Sequence, residues 1–236
     1  MNLINKHLIV LSGGVGSRMR SDTPKQYLKV CDKPILYYTL KSFDFNLFNK
    51  IIIVVADEWK EFVEGICKNA FSEQEILFAP AGKSRQESIL HGLNVLKNYA
   101  LTDDLVVIHD AARACCSREL VQNLIEACEN YDGAMPVLSV KDTVYLSETG
   151  HEITGLLERD KLFCGQAPEA FKYGRYLAIN EKLTSEELGR VRGSSEIAFR
   201  NGMKIAFISG DEANFKITTP ADLERFEEIQ KRKETK

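Results

Sequence analysis

Apolar runs of strand length recur along the chain, at residues 7–11, 50–56, 76–79, 105–109 and 133–137, with longer amphipathic stretches between them. The second run carries Ile51, Ile52, Ile53, Val54 and Val55 without a polar break. A strand with one wet face alternates polar and apolar side chains. An unbroken β-branched run belongs to a strand covered on both faces. Helical spacing fills the intervals at 34–43, 59–69, 84–99 and 119–130, the first with Pro34 near its start. This alternation predicts an α/β chain: a Rossmann-like, mostly parallel sheet with helices on both faces and right-handed crossovers.

The rhythm breaks near Ser139. Residues 139–163 contain short apolar alternations around Thr149-Gly150, which reads as a hairpin tip. A projecting two-stranded hairpin cannot bury both of its faces alone. The segment is therefore expected to be a β-arm packed on a second copy of the chain. The earlier pattern then resumes, with helices predicted at 171–183 and 191–201, a strand at 204–208 and a terminal helix at 220–231 capped by Thr219. No linker or repeat divides the sequence, so residues 1–236 are expected to form a single domain with 139–163 as its arm.

Composition narrows the class of function. At 236 residues, with 44% hydrophobic and 28% charged residues, the chain is an ordinary globular one. A net charge of −3 offers no general basic field, so no nucleic-acid partner is expected. No apolar run reaches the length of a membrane span, and the N-terminal residues carry no leader pattern. The six cysteines lack metal-binding spacing. Reduced thiols in a cytoplasmic protein are the expectation.

In open α/β sheets ligands sit beyond the carboxyl ends of the strands. The first strand is followed by Ser12, Gly13, Gly14 and Gly16, then Arg18 and Lys25. The glycines let the backbone approach a ligand closely, and exposed N–H groups in such a turn form an anion-binding concavity. The loop departs from the P-loop, since no Gly-Lys-Ser/Thr closes it. It also departs from the dinucleotide fingerprint, where Met19 stands in the third glycine position. Later strand ends add Gly82, Lys83, Ser84, Arg85 and Ser88, then Asp110-Ala111-Ala112-Arg113, then Lys141-Asp142-Thr143, then Lys216. Cations gathered at that edge fit a polyphosphate and a phosphorylated co-substrate. Ser84 to Glu87 reads as a capping box, Glu196 as a capping residue and His109 as a structural histidine. No Ser-His-Asp or Cys-His nucleophile is apparent.

Seven segments, in order over nearly the whole chain, make the sequence resemble the cytidylyltransferases that activate alditol phosphates. They are Gly13-Gly14-Val15-Gly16-Ser17-Arg18-Met19, Pro24-Lys25-Gln26-Tyr27, residues 82–88, His109-Asp110-Ala111-Ala112-Arg113, Lys141-Asp142-Thr143, Gln166-Ala167-Pro168-Glu169-Ala170-Phe171 and Asn214-Phe215-Lys216-Ile217-Thr218. The best-known members of that family act on 2-C-methyl-D-erythritol 4-phosphate in isoprenoid synthesis and on ribitol 5-phosphate for wall polymers.

The resemblance implies that CTP and a polyol phosphate give a CDP-alditol and pyrophosphate, with Mg²⁺, in a homodimer joined by the β-arm. It implies catalysis by Arg18, Lys25 and Lys216 through charge stabilisation, with no covalent intermediate. It assigns Ser12, Gly13, Gly14, Gly16, Gly82, Arg85, Ser88 and Ala111 to the nucleotide. Asp110 and Arg113 are assigned to the sugar alcohol, and Thr143 and Arg159 to the neighbouring subunit's substrate phosphate. No protein metal ligand is implied, because Mg²⁺ would ride mainly on the CTP phosphates.

The sequence departs from the family pattern at several points. The loop opens as Ser12-Gly13-Gly14, closer to the ribitol type. The Gln-Thr-Pro-Gln segment is Gln166-Ala167-Pro168-Glu169. The late Thr-Asp-Asp/Glu-x-Ser motif appears only as Gly193-Ser194-Ser195-Glu196, and Ala114 replaces a proline. The nucleotide half matches better than the acceptor half. The alternatives are a sugar-phosphate nucleotidyltransferase using another nucleoside triphosphate, and a nucleotide-binding homologue without turnover.

Overall fold

The computed structural model describes residues 4–14 and 22–234. Strand β1 (Lys6–Leu11) leads towards a small hairpin of β2 (Lys29–Val30) and β3 (Lys33–Pro34). The hairpin turns on Cys31 and Asp32, both at positive φ (45° and 62°). Its strands are too short to register as sequence periodicity, and it was not expected. Then follow α1 (Ile35–Ser42), β4 (Lys50–Val55), α2 (Lys60–Ala70), β5 (Ile76–Pro80), α3 (Arg85–Leu96), β6 (Leu105–Asp110), α4 (Arg118–Ala127) and β7 (Gly133–Ser139). The remaining strands of the second half are β8 (Tyr145–Leu146), β9 (Gly155–Leu156), β10 (Phe163–Gly165), β11 (Glu169–Lys172) and β12 (Ile205–Ser209). Its helices are α5 (Tyr173–Glu181), α6 (Ser185–Arg190), α7 (Ser194–Arg200) and α8 (Pro220–Glu234).

Among the described residues the main sheet has eight strands, in the order β10-β7-β11-β6-β1-β4-β5, with β12 beside β7. β1, β4, β5 and β6 pair in parallel, as does β12 with β7, whereas β10 and β11 run antiparallel to their neighbours. This is the expected mostly parallel α/β sheet. Side chains alternate between its two faces as the pleat requires. Leu8, Val10, Ile51, Ile53 and Val107 join one apolar cluster, with α1, α2 and α4. Ile9, Ile52, Val54, Val106 and Ile108 join another, with α3 and α5. Burying each such side chain contributes roughly 1.5–3 kcal/mol relative to exposure. The parallel register sets Leu11 beside Asp110 and Leu11 beside Val54, so the ends of β1, β4 and β6 share one sheet edge.

The structure corrects the reading of the second half. Phe171 does not start a helix. It lies in β11, opposite Val106 on one side and Gly133 on the other, and α5 begins at Tyr173. Ala170-Phe171 suits either element, and pairing between β6 and β7 decides it. The helix expected over 191–201 is the shorter α7, preceded by Gly193, whose φ of −151° and ψ of 147° are extended, and α6 over Ser185–Arg190 is a separate helix that was not expected. A capping box begins α6, where Thr184 and Glu187 satisfy each other's backbone N–H groups. At α3 only half of the expected box forms. Ser84 Oγ accepts from the Glu87 N–H, but the Glu87 carboxylate takes the Lys83 N–H.

Within 139–163, β8 and β9 pair antiparallel around a tip containing Gly150 at φ 77°. Tyr145, Leu146, Ile153 and Leu156 are exposed on this hairpin, Leu156 to 68%. No helix of the described residues is long and apolar enough to cross a membrane.

Candidate active site

A cleft of about 360 Å³ opens beyond the ends of β1, β5 and β6, lined in part by Gly13, Gly14, Lys25, Gly82, Lys83 and Arg85. Ser88, Asp110, Ala111, Ala112, Lys216 and Thr218 complete the part relevant to chemistry.

The glycine turn is fixed from below. Ser12 is 1% exposed, and its N–H donates to Val54 O at 2.8 Å. Gln26 Nε2 donates to Ser12 O at 2.7 Å and to Gly14 O at 2.8 Å. Tyr27 donates its hydroxyl to the same Ser12 carbonyl and lies over Trp59 at 4.7 Å between ring centroids. Lys25 leads this short 3₁₀ turn of residues Lys25–Tyr27 and thereby reaches the cleft wall. The turn also needs its glycines sterically. A Cβ on Gly13 would stand 2.4 Å from Ala81 Cβ, and one on Gly82 would stand within 2.8 Å of the Glu87 backbone. The Gly82 N–H donates to Ser88 Oγ at 2.9 Å, which closes the second wall at the start of α3.

The third wall is a charge network centred on Asp110. Arg85 Nε donates to Asp110 Oδ1 at 3.1 Å, and Lys216 Nζ donates to Oδ2 at 2.8 Å. Arg113 Nε lies 3.7 Å from Oδ2, while its Nη1 donates to Asn214 O at 2.7 Å. Burial alone would raise the Asp110 pKa. Arg85, Lys216 and Arg113 overcome burial and hold it well below the usual carboxylate range. Asp110 is therefore a fixed anion, not a proton acceptor. Beyond it, Arg85 reaches Glu169 Oε2 at 3.5 Å and donates to Ser194 Oγ. Glu169 Oε1 in turn accepts from the Ser195 N–H at 3.1 Å and from Ser195 Oγ at 2.7 Å. For Arg85, the opposing carboxylates outweigh burial and push the pKa up, so the guanidinium stays charged.

His109 is the penultimate residue of β6, in a fully buried site, with Nε2 2.9 Å from Arg113 O and its ring edge-on to Phe43. Burial lowers its pKa to about 4. The imidazole is neutral and works as a structural brace for the Asp110–Arg113 turn, as expected.

Most of the residues expected at a site do converge here. Gly13, Gly14, Lys25, Gly82, Arg85, Ser88, Asp110, Ala111 and Lys216 all line the cleft. Ser12 supports the turn from beneath it. Arg113 lies behind Asp110, outside the lining. Thr143 and Arg159 lie on the arm segment, away from this chain's own cleft, and Arg159 bonds Lys141 O. Gly16 and Arg18 lie outside the described residues. Gln26, Glu169, Ser194 and Ser195 were not expected to support the site. A glutamine directly after Pro24-Lys25 was the available signal for the first. The others are visible only once β11 and α7 meet α3.

Among the described residues, no group of three metal-binding side chains exists. Asp110 is the carboxylate of the described cleft lining, and it already faces three cations. A Mg²⁺ ion would therefore have to be held by substrate phosphates and waters rather than by the described lining.

The model of the 2-C-methyl-D-erythritol 4-phosphate cytidylyltransferase family matches residues 6–232. The chain belongs to that family. Its members are nucleotidyltransferases. One relative, the 2-C-methyl-D-erythritol 4-phosphate cytidylyltransferase of Clostridium novyi, is 33% identical over 94% of this chain and 94% of its own length. The ribitol-5-phosphate cytidylyltransferase of Lactiplantibacillus plantarum is 30% identical over 91% of this chain and 93% of its own. The crystal structure of the 2-C-methyl-D-erythritol 4-phosphate cytidylyltransferase of Francisella tularensis superposes with a TM-score of 0.77. It is 28% identical, over 94% of this chain and 98% of that one. Membership thus reaches across relatives named for two different acceptors.

Proposed function

We propose that this chain transfers the cytidylyl group of CTP to the phosphate of an alditol phosphate, releasing pyrophosphate and a CDP-alditol. The observation that carries the reading is a cleft walled by close-approach glycines on one side and by Lys25, Lys216 and the Asp110 network on the other. The described lining contains no serine paired with a base, which suits direct displacement. Ser88 accepts from Gly82, and Ser84 caps α3. A phosphate oxygen of the acceptor attacks the α-phosphorus, and pyrophosphate leaves in line.

Lys25 and Lys216 stabilise the negative charge that builds on the transferring group, and Arg18 joins them by family resemblance. Gly13, Gly14, Gly82 and Ala111 offer main-chain contacts close to the base and ribose. Ser12 and Ser88 shape those turns. Asp110 holds acceptor hydroxyls, and Arg113 keeps Asp110 in place. Mg²⁺ bound on the triphosphate supplies further charge neutralisation. Thr143 and Arg159 serve the cleft of a second copy, presented there by the arm. The exposed Tyr145, Leu146, Ile153 and Leu156 support that arrangement as an apolar contact face.

The acceptor is an alditol phosphate of the methylerythritol or ribitol type. Pyrophosphate release with CTP, measured against 2-C-methyl-D-erythritol 4-phosphate, ribitol 5-phosphate and their aldose counterparts, tests this. Turnover confined to alditol phosphates is expected. Release only with aldose 1-phosphates would overturn it.

A further inference from the structure

Arg85 is held by two carboxylates from opposite sides, and only one of them faces the cleft. Asp110 Oδ1 takes Nε at 3.1 Å from the cleft side. Glu169 Oε2 lies 3.5 Å from Nη2 on the inner side, 6% exposed and absent from the cleft lining. Ser194 Oγ takes the third nitrogen, and Ser194 is fully buried. Glu169 is itself immobilised by two bonds from Ser195. The chain from Ser195 through Glu169 and Arg85 to Asp110 is continuous, and Lys216 closes it on the other carboxylate oxygen. Without Glu169, one buried carboxylate would face Arg85, Arg113 and Lys216. Arg85 would keep Asp110 and Ser194 but have no carboxylate on Nη2 to hold that side of the guanidinium away from substrate phosphate.

Both segments that meet Arg85 from the inside are ones where the sequence departs from the family pattern it resembles. The acidic pair of the late motif is missing around Ser194-Ser195, and a carboxylate stands at Glu169 in place of glutamine. The structure places these two departures on the same guanidinium.

We propose that Glu169 is a positioning residue for acceptor recognition. It acts through Arg85, fixing the guanidinium so that it orients Asp110 for acceptor hydroxyls rather than binding phosphate itself. This proposal rests on the cytidylyltransferase reading. It predicts that Glu169→Gln, which keeps size and loses charge, weakens the acceptor and not the nucleotide. It also predicts that a carboxylate supplied from α7 restores function, because Ser194 already touches Arg85.

The test is steady-state kinetics of wild type, Glu169→Gln, Ser194→Asp and the double variant. CTP is paired with whichever of 2-C-methyl-D-erythritol 4-phosphate or ribitol 5-phosphate the wild type turns over, with thermal unfolding run alongside. The expected result for Glu169→Gln is an acceptor KM raised about tenfold with the CTP KM within about twofold. The double variant should recover to within about threefold of wild type. Equal changes in both KM values, no change, or no recovery in a double variant that melts like wild type would overturn the proposal. If the double variant unfolds, the split in the single variant alone decides. Absence of wild-type turnover with CTP and every acceptor would overturn the underlying reading, and the proposal with it.

Discussion

Lys216 Nζ donates to Asp110 Oδ2 at 2.8 Å across 106 positions of sequence. The contact joins the segment before α8 to the end of β6. Ile217 N–H reinforces the same junction by donating to Ala112 O at 2.8 Å. A cation at 34% side-chain exposure therefore stands at a fixed place on the cleft rim, available to a phosphate.

That placement makes Lys216 a strong test of the electrostatic account. Lys216→Ala is expected to lower kcat/KM roughly 100- to 1,000-fold, the scale of losing one preorganised charge-stabilising group. Lys216→Arg should retain more, since the guanidinium still reaches Asp110 and phosphate. Pyrophosphate release under saturating CTP separates these cases, and a loss below threefold for the alanine variant would contradict the role.

Gln26 carries a prediction about the nucleotide side. Its buried amide satisfies two carbonyls of the glycine turn, at 2.7 and 2.8 Å. Gln26→Ala leaves both without a donor and should cost about 1–3 kcal/mol of stability by chemical denaturation. The CTP KM should rise about tenfold while the acceptor KM changes little. Gln26→Glu should be worse, because it sets carboxylate oxygens against two carbonyls.

His109 predicts an acid limb in stability. Burial holds its folded pKa near 4, below the reference value of 6.5. Between those values the unfolded chain binds a proton that the folded chain does not. Stability is then fully present above pH 6.5 and is lost as pH falls towards 4. The loss is on the order of 3 kcal/mol. His7, also lowered by burial, adds in the same direction. Denaturation midpoints from pH 4 to 8 for wild type and His109→Gln check this, with a shallower acid limb expected in the variant. An unchanged limb would contradict it.

Much of this was legible in residue order, for reasons that differ from element to element. Ile51 to Val55 and Leu105 to Ile108 are buried on both faces, so composition alone marks them as central strands. Gly13, Gly82, Asp110 and Lys216 were recoverable because strand ends define the ligand edge of a parallel sheet. β11 was misread because a four-residue strand is fixed by the partners it lies between, not by its own pattern. Glu169 and Ser194 were missed as support for the site for a related reason. They come from β11 and α7, and only the packing of those elements against α3 brings them to Arg85.

The arm yields a prediction about assembly. Deleting residues 141–160 removes the exposed Tyr145, Leu146, Ile153 and Leu156 and should convert a dimer to a monomer by light scattering. Activity should fall with it, since Thr143 and Arg159 would no longer reach a second cleft. A dimer that survives the deletion would contradict the assignment of the arm.

The most direct measurement is pyrophosphate release by the wild-type chain with an alditol phosphate acceptor and, in parallel, CTP, UTP, GTP and ATP. The account predicts turnover with CTP at least about tenfold above any other nucleotide, with the CDP-alditol as product. A preference for UTP or GTP, or no turnover with CTP across the acceptors, would contradict it.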